Sequence, residues 1–364
     1  MGPVVAKPVP VEVVEALTSA QVTVASGARS GFQLAFAVAK GSNLEQNLIP
    51  GGFFDPGIRV ILVATVNGVS TVLMDGLVTR QDMAPSNDVG GSTLTVTGED
   101  LTIAMDLIDL TGVPYPAMPD VAIVEIVLIK YAFLGITPLP IPSPLTEVPS
   151  PTSRIPKQSG TDLAYVKSLA SNAGYTFYLD PGPAPGESIA YWGPEIRTGV
   201  PQPALNVNMD AETNVESLSF SFDGLAREQV ILFIQEPNSK IPIPIPVPNV
   251  NILKPPLAAR PAIPTKIRMV RKSAKLSPVR AALVALAKAA ASTDAISGNG
   301  QLDVVRYGRI LKPRGLVGVR GAGKAYDGLY YVKSVTHSIK PGEYKQSFQL
   351  SREGVISITP TVPV

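Results

Sequence analysis

The chain has 364 residues, 45% of them hydrophobic and only 16% charged, with a formal net charge of +2 and no cysteine. A disulfide scaffold and a thiolate metal site are excluded, and the near-neutral charge offers no electrostatic footprint for nucleic acid as a main partner. A mean hydropathy of +0.22 with so few charges leaves two outcomes, a membrane span or extensive surface buried against partners.

Met1–Ala16 carries one Lys and no unbroken apolar core, so no secretory signal is read there. Short strands are predicted over Gln21–Ala25, Gly31–Ala39, Arg59–Val66, Thr71–Arg80 and Ser92–Thr97. In the last of these every second side chain is apolar, the period of a half-buried strand. The pattern predicts a small antiparallel barrel or sandwich over residues 11–118. Helical spacing then takes over. Val121, Val124, Leu128 and Tyr131 follow Pro119-Asp120, and Gly135 stands where a C-cap belongs. Val121–Ile136 is the one candidate span, but it carries Glu125 and Lys130 and falls short of the roughly 20 apolar residues a bilayer needs. Assembly is therefore favoured over membrane insertion.

A second helix is predicted over Thr161–Asn172, with Leu163, Val166, Leu169 and Ala170 on one face and Gly174 ending it. Strands Tyr175–Leu179 and Ser188–Trp192 complete a small α/β subdomain. Val215–Phe222 and Gln229–Gln235 open a second barrel, which resumes at Leu302–Tyr307 and runs to about Arg352. Between them lie the Pro-rich residues 237–264, where Ile or Val alternates with Pro over Ile241–Pro248, and an Ala-rich helix predicted at Pro278–Ala291. With Pro138–Pro156 and Pro181–Pro185, these segments account for much of a count of 36 prolines. Proline cannot donate to a ladder, so such segments belong at edges, in linkers, or pinned along a neighbour in an assembly. The basic run Lys266–Lys275 reads as a solvated connection ahead of a phosphate site.

Two distant stretches run through the same programme. Pro56-Gly57, the strand Ile58–Thr65, Asp75-Gly76-Leu77-Val78 and the strand Ser92–Thr97 are matched by Lys312–Gly315, Leu316–Val319, Asp327-Gly328-Leu329-Tyr330 and Tyr344–Ser351. Asp-Gly supplies the positive φ of a tight turn. The order predicts two copies of one small barrel in a single chain; the alternative is two unrelated antiparallel modules.

Candidate chemistry is sparse. Gly318–Lys324 matches much of a phosphate-binding loop, but Ala325 replaces the Ser or Thr that would hold Mg²⁺, and a hairpin rather than a helix is predicted next. His337, the only histidine, alternates with Val335 and Ile339 along a strand and reads as structural. Glu99-Asp100 and Asp106/Asp109 are the dense acidic spots, in ordinary turn or helix contexts, and Trp192 is the only tryptophan. No catalysis, cofactor or metal site is expected.

The run TDLAYVKSLA from Thr161 to Ala170, followed by GYTFY from Gly174 to Tyr178, resembles the "tDxxFvxxLAxxxGyxf" segment of the late control protein D family. The closing stretch Tyr326–Val332 with Val335-Thr336-His337, then Tyr344, Phe348 and Arg352, is also similar to that family, as is the segment from Ile126–Tyr131 to Gly135-Ile136-Thr137-Pro138. The family comprises baseplate hubs of contractile phage tails and contractile injection systems. The resemblance implies a mainly β chain with an α+β insertion: a first barrel over 1–118, a helix, linker and α/β subdomain over 119–204, and a second barrel over 205–364 interrupted at 237–299. It further implies a homotrimer forming a pseudo-six-fold ring between an inner tube protein and a separate spike protein, contacting other baseplate components after assembly in the bacterial cytoplasm. Asp75, Gly76, Leu77, Asp327, Gly328 and Leu329 are the tube-docking candidates. The alternative is a tail component that binds or degrades cell wall through the inserted subdomain.

Overall fold

The computed structural model describes residues 1–86, 91–143, 148–149, 152, 155–235, 242–247, 254–270, 285–287, 289, 294–359 and 362. A short helix α1 (Val11–Glu15) leads into five strands, β1 (Leu17–Ala25), β2 (Gly31–Val38), β3 (Arg59–Val66), β4 (Val69–Ala84) and β5 (Ser92–Asp100). All pairings among them are antiparallel, in the order β1-β2-β5-β4-β3. The alternation in β5 is realised: Leu94 and Val96 are fully buried, with Thr93, Thr95 and Thr97 on the other face. They close a core with Val22, Phe32, Leu34 and Phe36, each large side chain contributing about 1.5–3 kcal/mol by burial.

The insertion contains α2 (Asp120–Ile129), β6 (Ile136–Pro140), α3 (Asp162–Ala173), β7 (Thr176–Pro181) and β8 (Ser188–Gly193). Gly135, at φ 78°, ends a 3₁₀ turn at Ala132–Leu134 rather than α2 itself. The apolar run Val121–Ile136 is thus broken, and among the described residues no helix is long and apolar enough to cross a membrane. Helix α3 starts where Thr161 Oγ1 accepts a 3.2 Å hydrogen bond from the Ala164 amide. It ends at Gly174, whose φ of 70° suits glycine and whose missing Cβ leaves room for the Ala287 backbone. Leu163, Val166, Leu169 and Ala170 are buried, as their spacing predicts. The sheet order is β6-β8-β7, which leaves the Pro-containing β6 on an edge where its missing donors cost nothing. The insertion's core draws in Leu101, Met105 and Tyr115 from the N-terminal side of residue 119.

The remaining strands are β9 (Gln202–Asn206), β10 (Val215–Phe222), β11 (Glu228–Gln235), β12 (Pro242–Pro246), β13 (Ala258–Pro261), β14 (Lys266–Val270), β15 (Ile296–Asp303), β16 (Leu316–Arg320), β17 (Gly328–Lys340), β18 (Glu343–Arg352) and β19 (Gly354–Ser357). Two expectations need correction, and a third falls mostly outside the described residues. The Gln229–Gln235 strand does not join the barrel: it is the middle of a three-stranded sheet, β12-β11-β14, with the Pro-Ile-Pro-Ile-Pro strand on one edge. Leu302–Tyr307 is not one strand, because the Asp303 carboxylate accepts the amides of Val305 (2.8 Å) and Arg306 (3.0 Å) and starts a helical turn. Of the helix predicted at Pro278–Ala291, residues 285–287 and 289 are described and are helical; the rest lies outside the described residues.

The duplication is visible in the ladders. The second module is ordered β10-β15-β18-β17-β16, all antiparallel. With strands numbered by their order in each module, this is the same 1-2-5-4-3 arrangement as in the first. Both modules bulge at two equivalent stations, and the β3–β4 ladder of the first has a further bulge at Leu73 that the shorter β16–β17 ladder lacks. Thr18 is the extra residue between β1 and β2, and Glu216 between β10 and β15. Thr79 is extra between β4 and β5, and Lys333 between β17 and β18. Matching the bulges brings Phe32 onto Gly298, Gly98 onto Leu350 and Val60 onto Val317 with no further slip. The modules share one eleven-stranded sheet, because β1 of the first pairs antiparallel with the C-terminal half of β17 of the second.

Candidate functional site

The Asp-Gly stations are not tight turns. Asp75 and Gly76 lie inside β4, opposite Ile61 and Val60; the hairpin turn is Asn67-Gly68, at φ 49° and 78°. Gly76 is there for space, since a Cβ would come within 2.2 Å of the Glu99 carbonyl oxygen. Asp75 is buried in a two-pronged pair with Arg59: Nε donates to Oδ1 at 2.8 Å and Nη2 to Oδ2 at 2.6 Å. Arg59 also donates to the carbonyls of Val4, Leu134 and Gly186. It therefore fastens the first module to both the N-terminal segment and the insertion. Asp327 ends the β16–β17 loop, with Oδ1 accepting the Ala322 amide at 2.8 Å, and Gly328 opens β17 at φ 113°. In the bulge-matched register Gly328 aligns with Met74, so the two Asp-Gly pairs stand two residues apart and do not coincide. Gly76 and Gly328 are buried, and Leu77, Asp327 and Leu329 are half-buried.

Gly318–Arg320 belong to β16, and residues 321–327 turn the chain back into β17 as the strand pattern predicts, with no helix end to receive a phosphate. The Trp192 indole is buried and donates to the Val166 carbonyl, so it offers no exposed platform. The acidic spots are engaged within the chain. Glu99 and Asp106 both accept from Arg29, and Asp109 accepts from Thr111. Burial pushes the Asp100 carboxyl up despite its hydrogen bonds from Thr102. Asp75 and Asp100 border a cavity of about 10 Å³, room for one water at most. A larger cleft, about 340 Å³, opens beside α3 and β7. Glu195 is the one carboxylate among its described lining residues, and it is paired with Arg197 and Lys254. Among the described residues no pair of converging carboxylates of the glycosidase kind is assembled there.

His337 is buried, its Nδ1 2.8 Å from the Tyr344 hydroxyl and 3.3 Å from Gln346 Nε2. Burial lowers its pKa from 6.5 to about 4. The unfolded chain thus binds the proton more readily, and stability is full above pH 6.5 and falls as the pH is lowered toward 4. The expected loss from this side chain is about 3 kcal/mol. Urea titrations at pH 7 and pH 4.5 should show a smaller pH difference in His337→Phe than in the parent; equal differences would count against this role.

Sequence reasoning missed the most elaborate polar cluster. Arg197, on the loop after β8, pairs with Glu195 (2.7 Å), Asp294 (2.6 Å) and Glu353 (3.5 Å) and lies 5.2 Å from the Tyr331 ring centroid. Lys254 and Lys333 add pairs to Glu195 and Asp294, and Glu353 accepts the amides of Leu257 and Ala258. Burial alone would lower the Arg197 pKa, but Asp294 and Glu195 raise it on balance. Burial would likewise raise Asp294, yet Arg197, Lys254 and Lys333 hold it below the usual carboxylate range. The partners are scattered over residues 195–353, and no local spacing announces them.

No protein-family model and no curated protein matches the chain. Solved structures do. The tail protein from Neisseria meningitidis MC58 superposes with a TM-score of 0.60 at 13% identity, covering 93% of each chain. The 43 kDa tail protein of prophage MuSo2 from Shewanella oneidensis gives 0.55 at 15% identity, covering 93% of this chain and 94% of the other. This chain has the fold of phage tail proteins. The same fold extends to the E. coli c3393 protein, described as a component of the type VI secretion system with structural similarity to the T4 tail proteins gp27 and gp5. That match has a TM-score of 0.52 at 12% identity and covers 96% of this chain and 78% of the other.

Proposed function

We propose that this chain is a structural hub of a contractile phage tail or injection system, three copies closing a pseudo-six-fold ring between a hexameric inner tube and a trimeric spike. The observation that carries the reading is the internal repeat: two modules with one strand order and one pair of bulges in a tail-protein fold. Two such modules in each of three chains present six similar surfaces while the rest of the assembly stays three-fold. In this reading residues 1–118 and 205–364 build the ring, and 119–204 breaks its six-fold character and faces the spike. Apolar side chains left on the protomer surface, among them Ile126, Ile129 and Phe133, favour obligate association.

The tube-facing end follows from where the insertions leave. The α/β insertion departs after Asp100, and the Pro-rich insertion departs after Phe222, both at the end of the sheet marked by Leu77 and Tyr331. At the opposite end lie the strand ends Ala84 and Ser92 of the first module and their equivalents Lys340 and Glu343 of the second. The Asp-Gly stations lie at the insertion end, buried or half-buried, and the docking surface in this reading is at these strand ends instead. The purified chain should have the mass of three copies; a stable monomer at micromolar concentration would overturn the hub. Gly91→Asp with Lys340→Glu adds negative charge at two exposed positions, one in each module. It should stop tube protein from polymerising on the hub while the three-copy mass is unchanged, and normal tube growth would overturn the docking surface.

A further inference from the structure

The joint inside the protomer holds instructions for a joint between protomers. Strand β1, first in its module, pairs with the C-terminal half of β17, fourth in the other, from Ala20↔Ile339 to Ala25↔Ser334. This joint lies along the same edge of β17 as β16, which covers only Leu316↔Tyr331 to Val319↔Gly328. The equivalent strands in the opposite sense are β10, first in the second module, and β4, fourth in the first. Both are open there. Among the described residues β10 pairs only with β15. Past Val78, which still bonds the backbone of Gly57 and Ile58, β4 pairs among the described residues only with β5. Ser217, Ser219, Ser221 and Phe222 are exposed on the one, and Arg80, Asp82, Met83 and Ala84 on the other. An eight-residue edge strand without Pro or Lys is a ready template for another strand.

We infer that β10 of one protomer pairs antiparallel with Arg80–Ala84 of the next, repeating between copies the β1–β17 joint found within each copy. This rests on the ring reading for the number of copies, while the register comes from the repeat alone. Transferring the joint through the matched bulges gives Ser219 opposite Ala84, Phe220 opposite Met83, Ser221 opposite Asp82, Phe222 opposite Gln81 and Asp223 opposite Arg80. The chemistry fits this register. Thr23 and Thr336 touch across the internal joint through hydroxyls 3.0 Å apart, and their counterparts are a serine donor and a carboxylate acceptor. Ala25 and Ser334 have oppositely charged counterparts, Asp223 and Arg80. Pro85 then ends the ladder, since it has no N–H to give. The two edges are different surfaces of one chain, so the contact is head-to-tail, the kind that closes rings.

The chain has no native cysteine, which makes disulfide trapping clean. Ser221→Cys/Asp82→Cys, oxidised and run on a non-reducing gel, should form covalent multimers up to three chains. The yield should be at least ~tenfold above that of Ser217→Cys/Asp82→Cys, whose positions would sit four residues (about 13 Å) out of register. Ser219→Cys/Ala84→Cys tests the same register if the first pair folds poorly, and parental melting temperatures confirm the fold of each variant. A three-copy mass with no preference between in-register and out-of-register pairs overturns the strand pairing and leaves the hub standing. A single-copy mass with no cross-link overturns both.

Discussion

Arg197→Ala is expected to destabilise the folded chain by about 3–5 kcal/mol, the range for removing one partner of a buried ionic cluster. The guanidinium is 1% exposed and pairs with Glu195, Asp294 and Glu353, whose three negative charges it balances together with Lys254 and Lys333. Without it, Asp294 and Glu353 remain buried and the half-buried Glu195 loses its nearest cation, with only Lys254 and Lys333 left to compensate. Glu353 would also be freed from the contact that keeps it aimed at the amides of Leu257 and Ala258. The cluster joins the loop after the insertion to the start of β15 and the end of β18, so the loss should appear as a lower urea midpoint of the whole transition. Asp294 adds a pH signature. A carboxyl held below its ordinary range gives stability that is present above its unfolded pKa and lost as the pH falls through the folded one. The alanine variant should therefore lose less on acidification than the parent. Arg197→Lys keeps a charge without the planar fork and should fall between the two. A loss below about 1 kcal/mol for Arg197→Ala would show that the cluster contributes no more than a surface pair.

Asp75→Ala should cost a similar amount, about 3–5 kcal/mol, because it strands the Arg59 charge in the interior. Arg59 would keep its bonds to the carbonyls of Val4, Leu134 and Gly186, but three dipoles do not replace a carboxylate. Replacing both partners, as Arg59→Met/Asp75→Leu, should recover most of the loss. Thermal unfolding of the three proteins separates a structural Asp75 from one that serves a partner. Unchanged melting with impaired tube assembly would restore Asp75 as a docking residue.

The contrast between these two clusters and the predicted elements shows which information was local. Thr161 and Gly174 bracket α3 because a cap and a left-handed residue act within one turn of the helix they limit. Leu94 and Val96 face inward because strand period is a local count. Asp75-Gly76 misled for the complementary reason. The dipeptide suits a turn, but it also suits a strand whose aspartate meets an arginine on the neighbouring strand and whose glycine meets a carbonyl. Which of these holds depends on residue 59, not on the dipeptide. Gln229–Gln235 reads as a strand and is one, yet its pattern does not say which sheet it joins. The true marks of duplication, single extra residues at Thr18, Glu216, Thr79 and Lys333, have no residue signature and emerge only when two strands are laid side by side.

The β1–β17 joint also sets a timetable for synthesis. Thr23 and its partner Thr336 are separated by 313 positions. At ~5–20 residues per second a ribosome takes roughly 15–60 s to bridge that gap. Throughout this interval the nascent first module carries an open strand edge whose proper cover has not yet been made. On a polysome, neighbouring nascent chains hold the same uncovered edge at high local concentration. Slower translation of the C-terminal third should therefore lower the yield of assembled protein without altering one residue of it, and chaperone demand should peak before the last strands emerge.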